Sequence, residues 1–519
     1  MLYTIPDYYR QFHCVAGACE DTCCAGWQIV ADKSALRQYK KVTGEYRKEI
    51  RAGVDWKEGA FRQDEEKRCY FLNEDNLCNM YTALGEKALC KTCKRYPRHI
   101  EEFEGVREMT LSVSCPEVAK ILLQRKEPVQ FLIHEDEKEE CWDDAFDPFL
   151  YSLLADARTM MIQILQNREL SLNLRTGLVL AIAHDLQIRI QKQEIFDGEM
   201  VLEKYRTEKA MDYIKGQIAK LYTEEEKHRF YEFMTETFRD QYRLERLRDN
   251  WEPHLLEAEQ WLYGKGEAHY YELRNAFEGW MAEKMPEFEI QKEQLLVYFL
   301  STYLCGAVYD GHAYSKAQMA VVSVLLMQEI LMAQWIKNEK ELYFEDLVDT
   351  VYRFSRELEH SDPNLNLMER LMSERPVPWF AKKAAEEESI NKVRKISKLI
   401  NCLFVGLGGF IGAVCRYLIG LLPVQSESGF PYKTFLINVA GAFLIGCIAT
   451  YAGKHPAVNP QLVLFLKVGI CGGFTTFSTF AFETTDLFQS GHTVTALVYA
   501  VLSVVSGVLA VFASQFLLH

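Results

Sequence analysis

The chain has 519 residues, of which 49% are hydrophobic and 25% charged, and carries a formal net charge of −14. That is too much chain for one hydrophobic core and too apolar for a disordered protein, so two or more domains are expected. The charge is uneven: residues 399–519 hold only Arg416, Lys433, Lys454, Lys467, Glu427, Glu483 and Asp486, which leaves residues 1–398 an acidic, soluble part of net charge about −15 with no dense Lys/Arg tract, excluding nucleic acid as the main partner.

The start, MLYTIPDYYR, places Asp7 and Arg10 where a cleavable signal peptide would have its apolar core, so a cytoplasmic, reducing setting is expected for the front part. Cysteine usage then marks off residues 1–120. Nine of the fifteen cysteines lie there: Cys14, Cys19, Cys23, Cys24, Cys69, Cys78, Cys90, Cys93 and Cys115. In a reducing compartment a disulfide scaffold is disfavoured, and metal or iron-sulfur ligation is expected instead. Lys91, Lys94, Arg95 and Arg98 around Cys90 and Cys93 favour the thiolate, a soft ligand. Four of the nine would suffice, and spacing alone does not select them.

Residues 121–375 read as a helical soluble domain, with apolar positions such as Leu153, Met160, Ile164 and Leu165 and a charged stretch from Tyr222 to Arg248. The apolar runs 295–309 and 320–327 are shorter than the roughly 20 residues a bilayer needs and are separated by Asp310, His312 and Lys316, so buried core helices are expected. Gly264-Lys265-Gly266 lies in a polar segment with no strand before it, so no glycine-rich turn for a nucleotide-like cofactor is present. Residues 376–398 are charged and read as a linker.

From residue 399 the apolar content fits four membrane helices, at 399–422, 433–453, 461–488 and 493–518. Lys392, Arg394, Lys395 and Lys398, just before the first span, place the N-terminal side in the cytoplasm by the positive-inside rule. Arg416, Asn438, Ser478, Thr479 and Glu483 are expensive in hydrocarbon and want either a helix partner or a water-filled path. Paired Gly472 and Gly473 weaken the third helix in mid-membrane and free carbonyls, hard ligands for a small cation. Phe477 and Phe480 share a helical face, and a ring edge can meet an anion.

These stretches resemble the Fluc/CrcB family of fluoride channels. The residues that carry the likeness are Gly408 to Tyr417 (GGFIGAVCRY), Asn438 to Gly446 (NVAGAFLIG) and Gly472 to Phe480 (GGFTTFSTF) with Glu483. The resemblance implies a four-helix channel subunit that pairs with an oppositely oriented copy in an antiparallel dual-barrel dimer, located in the cell membrane and lowering cytoplasmic fluoride by passive export. It further implies a structural sodium ion on the carbonyls of Gly472 and Thr475. Asn438, Phe477 and Phe480 would line the fluoride path, Ser478 and Thr479 would donate beside it, Arg416 would draw anions inward, and Tyr499 and Ser503 would form a polar track. Fluoride holds its water tightly, so such a path has to replace hydration with several directed donors at once. Pro431-Tyr432-Lys433-Thr434 departs from the family's commoner glycine-threonine start of the second helix.

The front part resembles the FliB family, named for flagellin lysine N-methylase. The likeness rests on Cys14, Cys19, Cys23, Cys24, Ala25, Gly26 and Trp27, on Cys69 to Leu72 with Cys78, on Cys90 to Arg98, and on Cys115; beyond residue 120 it fades into general helical character. It implies an iron-sulfur cluster or zinc on the cysteines and S-adenosylmethionine-dependent methylation of lysine side chains, the second on family analogy alone. The whole is therefore expected to be mostly α: a cysteine-rich helical soluble domain fused to a four-span channel subunit. Two alternatives compete with a fluoride channel fused to a FliB-like domain. One is a membrane-tethered methylase with the spans as anchor; the other is a redox- or metal-sensing domain that regulates the pore. An anchor needs one span and no polar track, whereas four spans carry one here. The subunit's partner is expected to be a second copy or, because a basic pre-span group and a large folded domain fix the topology, a separate subunit of opposite orientation.

Overall fold

A computed structural model of the chain describes residues 1–136, 146–220, 223–378, 403–422, 429–454 and 460–517. The chain divides into two compact units, Met1–Lys382 and Lys383–His519. The expected linker at 376–398 falls almost wholly outside the described residues.

The first unit is mostly helical, as expected, but it also carries strands that the sequence did not announce. Its start builds a four-stranded mixed sheet in the order Arg98–Phe103, Val106–Leu111, Leu2–Pro6, Phe131–Glu135. Leu2–Pro6 runs parallel to Val106–Leu111 and antiparallel to Phe131–Glu135. The Arg98–Phe103 hairpin closes through Glu104-Gly105, where Gly105 takes the positive φ of 70° that so short a loop demands. The sheet was hidden in the sequence because its strands are five or six residues long and carry charge on both faces, Glu101 and Glu102 on one strand and Arg107 and Glu108 on the next.

Because Phe131–Glu135 pairs with Leu2–Pro6, residues on both sides of position 120 share one sheet. They also share one core, which runs from Tyr8 and Phe103 to Leu371 and Val377. A separate small core, containing Ile29, Tyr39, Ile50, Phe61, Phe71, Met80 and Cys90, organises the cysteine-bearing loops.

The helices of this unit start where side chains cap them. Asp147 accepts from the N–H groups of Phe149 and Leu150 ahead of Pro148–Leu165, and Ser171 accepts from Leu174 N–H ahead of Leu172–Gln191. Phe288–Tyr303 and Ala313–Lys337 are the central helices. The second is long and apolar enough to span a bilayer, but 83% of its apolar window is buried in protein, as expected for a core helix.

In the second unit the apolar helices are Leu403–Gly420, Tyr432–Lys454, Leu464–Gln489 and Thr493–Leu517, with only 11 to 17% of their windows buried. Their apolar side chains face outward all round, which a lipid environment satisfies and water does not. The first and third helices touch backbone to backbone: a Cβ on Gly408 would lie 2.8 Å from Gly469 Cα, and Cβ atoms on Gly412 and Gly473 would overlap the backbones of Ile470 and Gly409. The third helix is not continuous. Leu464–Cys471 is wound as a π-helix, Gly472–Phe474 is a single α turn, and the chain breaks at Thr475-Thr476 before Phe477–Gln489 resumes. The break was expected at the paired glycines, yet both are helical and it falls three residues later.

Candidate functional site

Asn438, on the second membrane helix, fixes the break. In a continued helix the Thr476 N–H would bond the Gly472 carbonyl. It donates instead to Asn438 Oδ1 at 2.8 Å, while Asn438 Nδ2 donates to the Thr476 carbonyl at 3.1 Å. Thr476 then caps the next helix, its hydroxyl accepting from Thr479 N–H at 3.2 Å and donating to Thr479 Oγ1 at 2.8 Å. Arg416 of the first helix donates from Nη1 to the Thr475 carbonyl at 3.1 Å. The third helix thus presents two ends at one place, the carbonyl end of Gly472–Phe474 and the N–H end of Phe477–Gln489.

Beside this break lies a cavity of about 450 Å³ lined by Asn438, Thr475, Thr476, Phe477, Phe480 and Ser503 together with apolar side chains. Of the residues the sequence singled out, Asn438, Phe477, Phe480, Ser503 and Thr475 come together here. The Ser503 hydroxyl is buried and has no partner among the described residues. The Phe477 and Phe480 rings are 5.7 Å apart, and Phe480 packs on Tyr499 at 5.2 Å. Phe477 is 79% exposed on the isolated subunit, and Ser478 and Thr479 are also exposed, outside the cavity.

Tyr499 is fully buried away from the cavity lining and donates to Glu483 Oε2 at 2.8 Å, while Thr434 donates to Glu483 Oε1 at 2.8 Å. Glu483, with one hydrogen bond to each carboxylate oxygen, thereby links the second, third and fourth helices. Thr434 and Thr476 went unassigned in the sequence. Their signal was a hydroxyl in an otherwise apolar helix, which does not by itself separate a cap or a carboxylate partner from filler.

In the first unit the nine cysteines fall into two groups by mutual electrostatic influence. Cys24, Cys69, Cys78, Cys90 and Cys93 act on one another, and Cys14, Cys19, Cys23 and Cys115 form a second set joined to the first through a Cys23–Cys24 hydrogen bond. The Cys90 and Cys93 sulfurs are 3.5 Å apart. Hydrogen bonds from Cys23 and from Cys93 lower the Cys24 and Cys90 thiols to about 7, and burial raises Cys69 to about 12 and Cys115 to about 11. No three of these thiols lie within 4.8 Å of one another among the described residues.

Beside the second set stands a polar chain absent from the sequence reading. Trp27 donates to the Cys23 carbonyl at 2.7 Å and packs 4.5 Å from His360, whose Nε2 meets Ser114 Oγ at 2.9 Å. Ser112 connects Ser114 to Glu359, which also accepts from Tyr298 and Tyr303 and whose carboxyl burial pushes upward. Asp310, His312 and Glu369 do converge, but Lys316 bonds both carboxylates and supplies the positive charge a metal would.

Four outward-facing apolar helices around an interrupted third helix, with a polar cavity at the interruption, define the second unit as a membrane channel subunit. Residues 403–515 match the family described as CrcB-like protein, Camphor Resistance. Among curated relatives, the fluoride-specific ion channel FluC of Chlorobium luteolum is 42% identical over 117 residues, covering 22% of this chain and 91% of the relative. The protein of the same name from Ruminiclostridium cellulolyticum is 47% identical over 110 residues, 21% of this chain and 85% of the relative. The chain belongs, through this unit, to the CrcB-like family. Residues 158–378 match the FliB lysine N-methylase C-terminal domain, a helical stretch that follows the cysteine motifs on which the sequence carried the likeness.

Proposed function

We propose that the second unit is a fluoride channel subunit that lowers cytoplasmic fluoride by passive export. The observation that carries this is the Asn438-locked break, which aims the N–H end of Phe477–Gln489 at a cavity lined by Thr476, Phe477, Phe480 and Ser503. A helix N-terminus, a free hydroxyl and ring edges attract a small anion without the full positive charge that would trap it. The second Asn438 N–H, beyond the one given to Thr476, is a further donor.

The carbonyl end of Gly472–Phe474 suits sodium. The Gly472 carbonyl has lost its helical donor to Asn438, and Thr475 offers a carbonyl of which Arg416 takes one side. Both are hard oxygen donors, the type such a cation prefers. Two carbonyls are too few for one ion, and exposed Phe477, Ser478 and Thr479 leave a mixed aromatic and hydroxyl face uncovered, so a second, oppositely oriented subunit completes both.

For the first unit we read a FliB-like module that uses S-adenosylmethionine on lysine, supported by the match over residues 158–378. Its cysteines suit an iron-sulfur cluster or zinc, since both take clustered thiolates, and the Cys90 and Cys93 sulfurs at 3.5 Å are close enough to act as a ligand pair. Fluoride-electrode efflux from liposomes tests the channel, and anaerobic iron and sulfide analysis tests the cluster.

A further inference from the structure

Between the sheet of the first unit and helix Pro148–Leu165 lies a cavity of about 460 Å³ that none of the preceding roles uses. The strand register explains its floor. Leu2 pairs with Val106, and Thr4 pairs with both Glu108 and Ile133, so these side chains and Thr110 share one face of the sheet. The helix sets Tyr151, Ala155, Arg158 and Ile162 against them. Leu2 and Ile133 line the cavity and are 45% and 70% exposed, which makes them its rim.

The walls are mostly aliphatic, and the polar groups gather around Glu108. Glu108 is only 7% exposed; its carboxylate accepts Tyr151 Oη–H at 2.8 Å and both Arg158 terminal nitrogens, one of them at 2.5 Å. Arg158 Nη1 also reaches the Ser301 carbonyl at 3.2 Å. Thr110 is 5% exposed and its hydroxyl has no partner among the described residues. Glu108 and Arg158 are the charged side chains of the lining, so their charges cancel.

We propose that this cavity is where the first unit receives a lysine side chain, holding the four-carbon stem between the aliphatic walls and the amine, uncharged, beside Glu108 and Thr110. An aliphatic slot with acceptors in its floor matches a stem that ends in a donor. A net-neutral, desolvated floor favours the free amine over ammonium, because ammonium would lose hydration without gaining a net opposite charge. An amine must have that lone pair free before it can attack a methyl donor. The volume exceeds what the side chain needs and lies in the usual range of ligand sites. The inference rests on the methylase reading and adds the place where the acceptor binds.

The test uses the full chain in detergent with Nα-acetyl-lysine methylamide as probe and its norleucine analogue as control, followed by ligand-observed NMR. The lysine probe should bind at least tenfold more tightly than the norleucine one. Ala155→Phe, which fills the slot, should abolish that binding with helicity unchanged, and the near-isosteric Thr110→Val should weaken it about tenfold. Equal binding of the two probes, no binding of either, or lysine binding that survives Ala155→Phe would overturn the site. Transfer of labelled methyl from S-adenosylmethionine to lysine, measured in parallel, separates the two ideas. Transfer that persists in Ala155→Phe removes this site and keeps the methylase; lysine-selective binding without transfer keeps the site and removes the methylase.

Discussion

Asn438 and Thr476 exchange two hydrogen bonds across a helix pair, side-chain Nδ2 to carbonyl at 3.1 Å and backbone N–H to Oδ1 at 2.8 Å. This pair holds the third membrane helix open, because a residue that satisfies both backbone groups of the broken position removes the penalty that would otherwise close the helix in lipid. Asn438→Asp keeps an acceptor but replaces the donor with an oxygen facing the Thr476 carbonyl. Fluoride flux should fall severely, and thermal unfolding in detergent should show a loss of about 1–3 kcal/mol. Unchanged flux would mean that the break does not depend on the pair.

The glycine contacts between the first and third helices make a packing prediction. Gly473→Val drives a branched side chain into the Gly409 backbone, which cannot move aside as a flexible side chain would. The expected cost is at least about 3 kcal/mol, read as loss of a monodisperse peak in size-exclusion chromatography. Gly472→Ala meets nothing within 4 Å and should be tolerated in the same assay.

Burial raises the Glu357 carboxyl from 4.5 to about 7, against opposing backbone N–H donors at Leu247 and Arg248. Above pH 4.5 the unfolded chain releases this proton while the folded one keeps it. The stabilisation is therefore fully present below the unfolded value and lost as pH rises through about 7, a loss of about 3 kcal/mol. Glu357→Gln keeps an acceptor for Leu247 N–H and cannot titrate. Urea unfolding of residues 1–382 at pH 5 and pH 7.5 should show the wild type losing stability relative to the variant, and a constant difference would refute the assignment.

Protein made without oxygen should carry iron with acid-labile sulfide, or else zinc, and replacing Cys23 and Cys24 together by serine should remove it, since these two residues join the cysteine groups. Less than about a tenth of an equivalent of either metal would contradict any bound centre.

The basic group at Lys392, Arg394, Lys395 and Lys398 predicts one orientation for every copy in cells. With the N-terminal side in the cytoplasm, Ser490, in the turn before Thr493–Leu517, lies outside. A cysteine placed there, in a chain lacking other accessible thiols, should react fully with an impermeant reagent on intact cells. Labelling of about half the molecules would show dual topology and a homodimer in place of a partner subunit.

The four spans were legible because sustained hydropathy is a one-dimensional signal. The position of the break was not, since it is set by the Asn438 amide across the helix pair while the nearby glycines serve close packing. The core assignment of Ala313–Lys337 followed from the charges that interrupt its surroundings. The mixed sheet was missed because Arg98–Phe103 and Val106–Leu111 put charges on both faces and blur the period of two. Cysteine count pointed to ligation, but the division into two groups depends on loops brought together by the Ile29–Cys90 core. Tyr499 and Ser503 stand one helical turn apart on the same helix, yet one bonds Glu483 and the other lines the cavity.

Fluoride efflux, read with a fluoride electrode, from potassium-fluoride liposomes made permeable to potassium and carrying either residues 395–519 or the full chain reconstituted from detergent, tests the channel reading. Rapid fluoride release with little chloride release under the same gradient is expected, with near-complete loss of the fluoride signal in Phe477→Ile. Equal fluoride and chloride flux, or no flux from folded protein of either length, would contradict that reading.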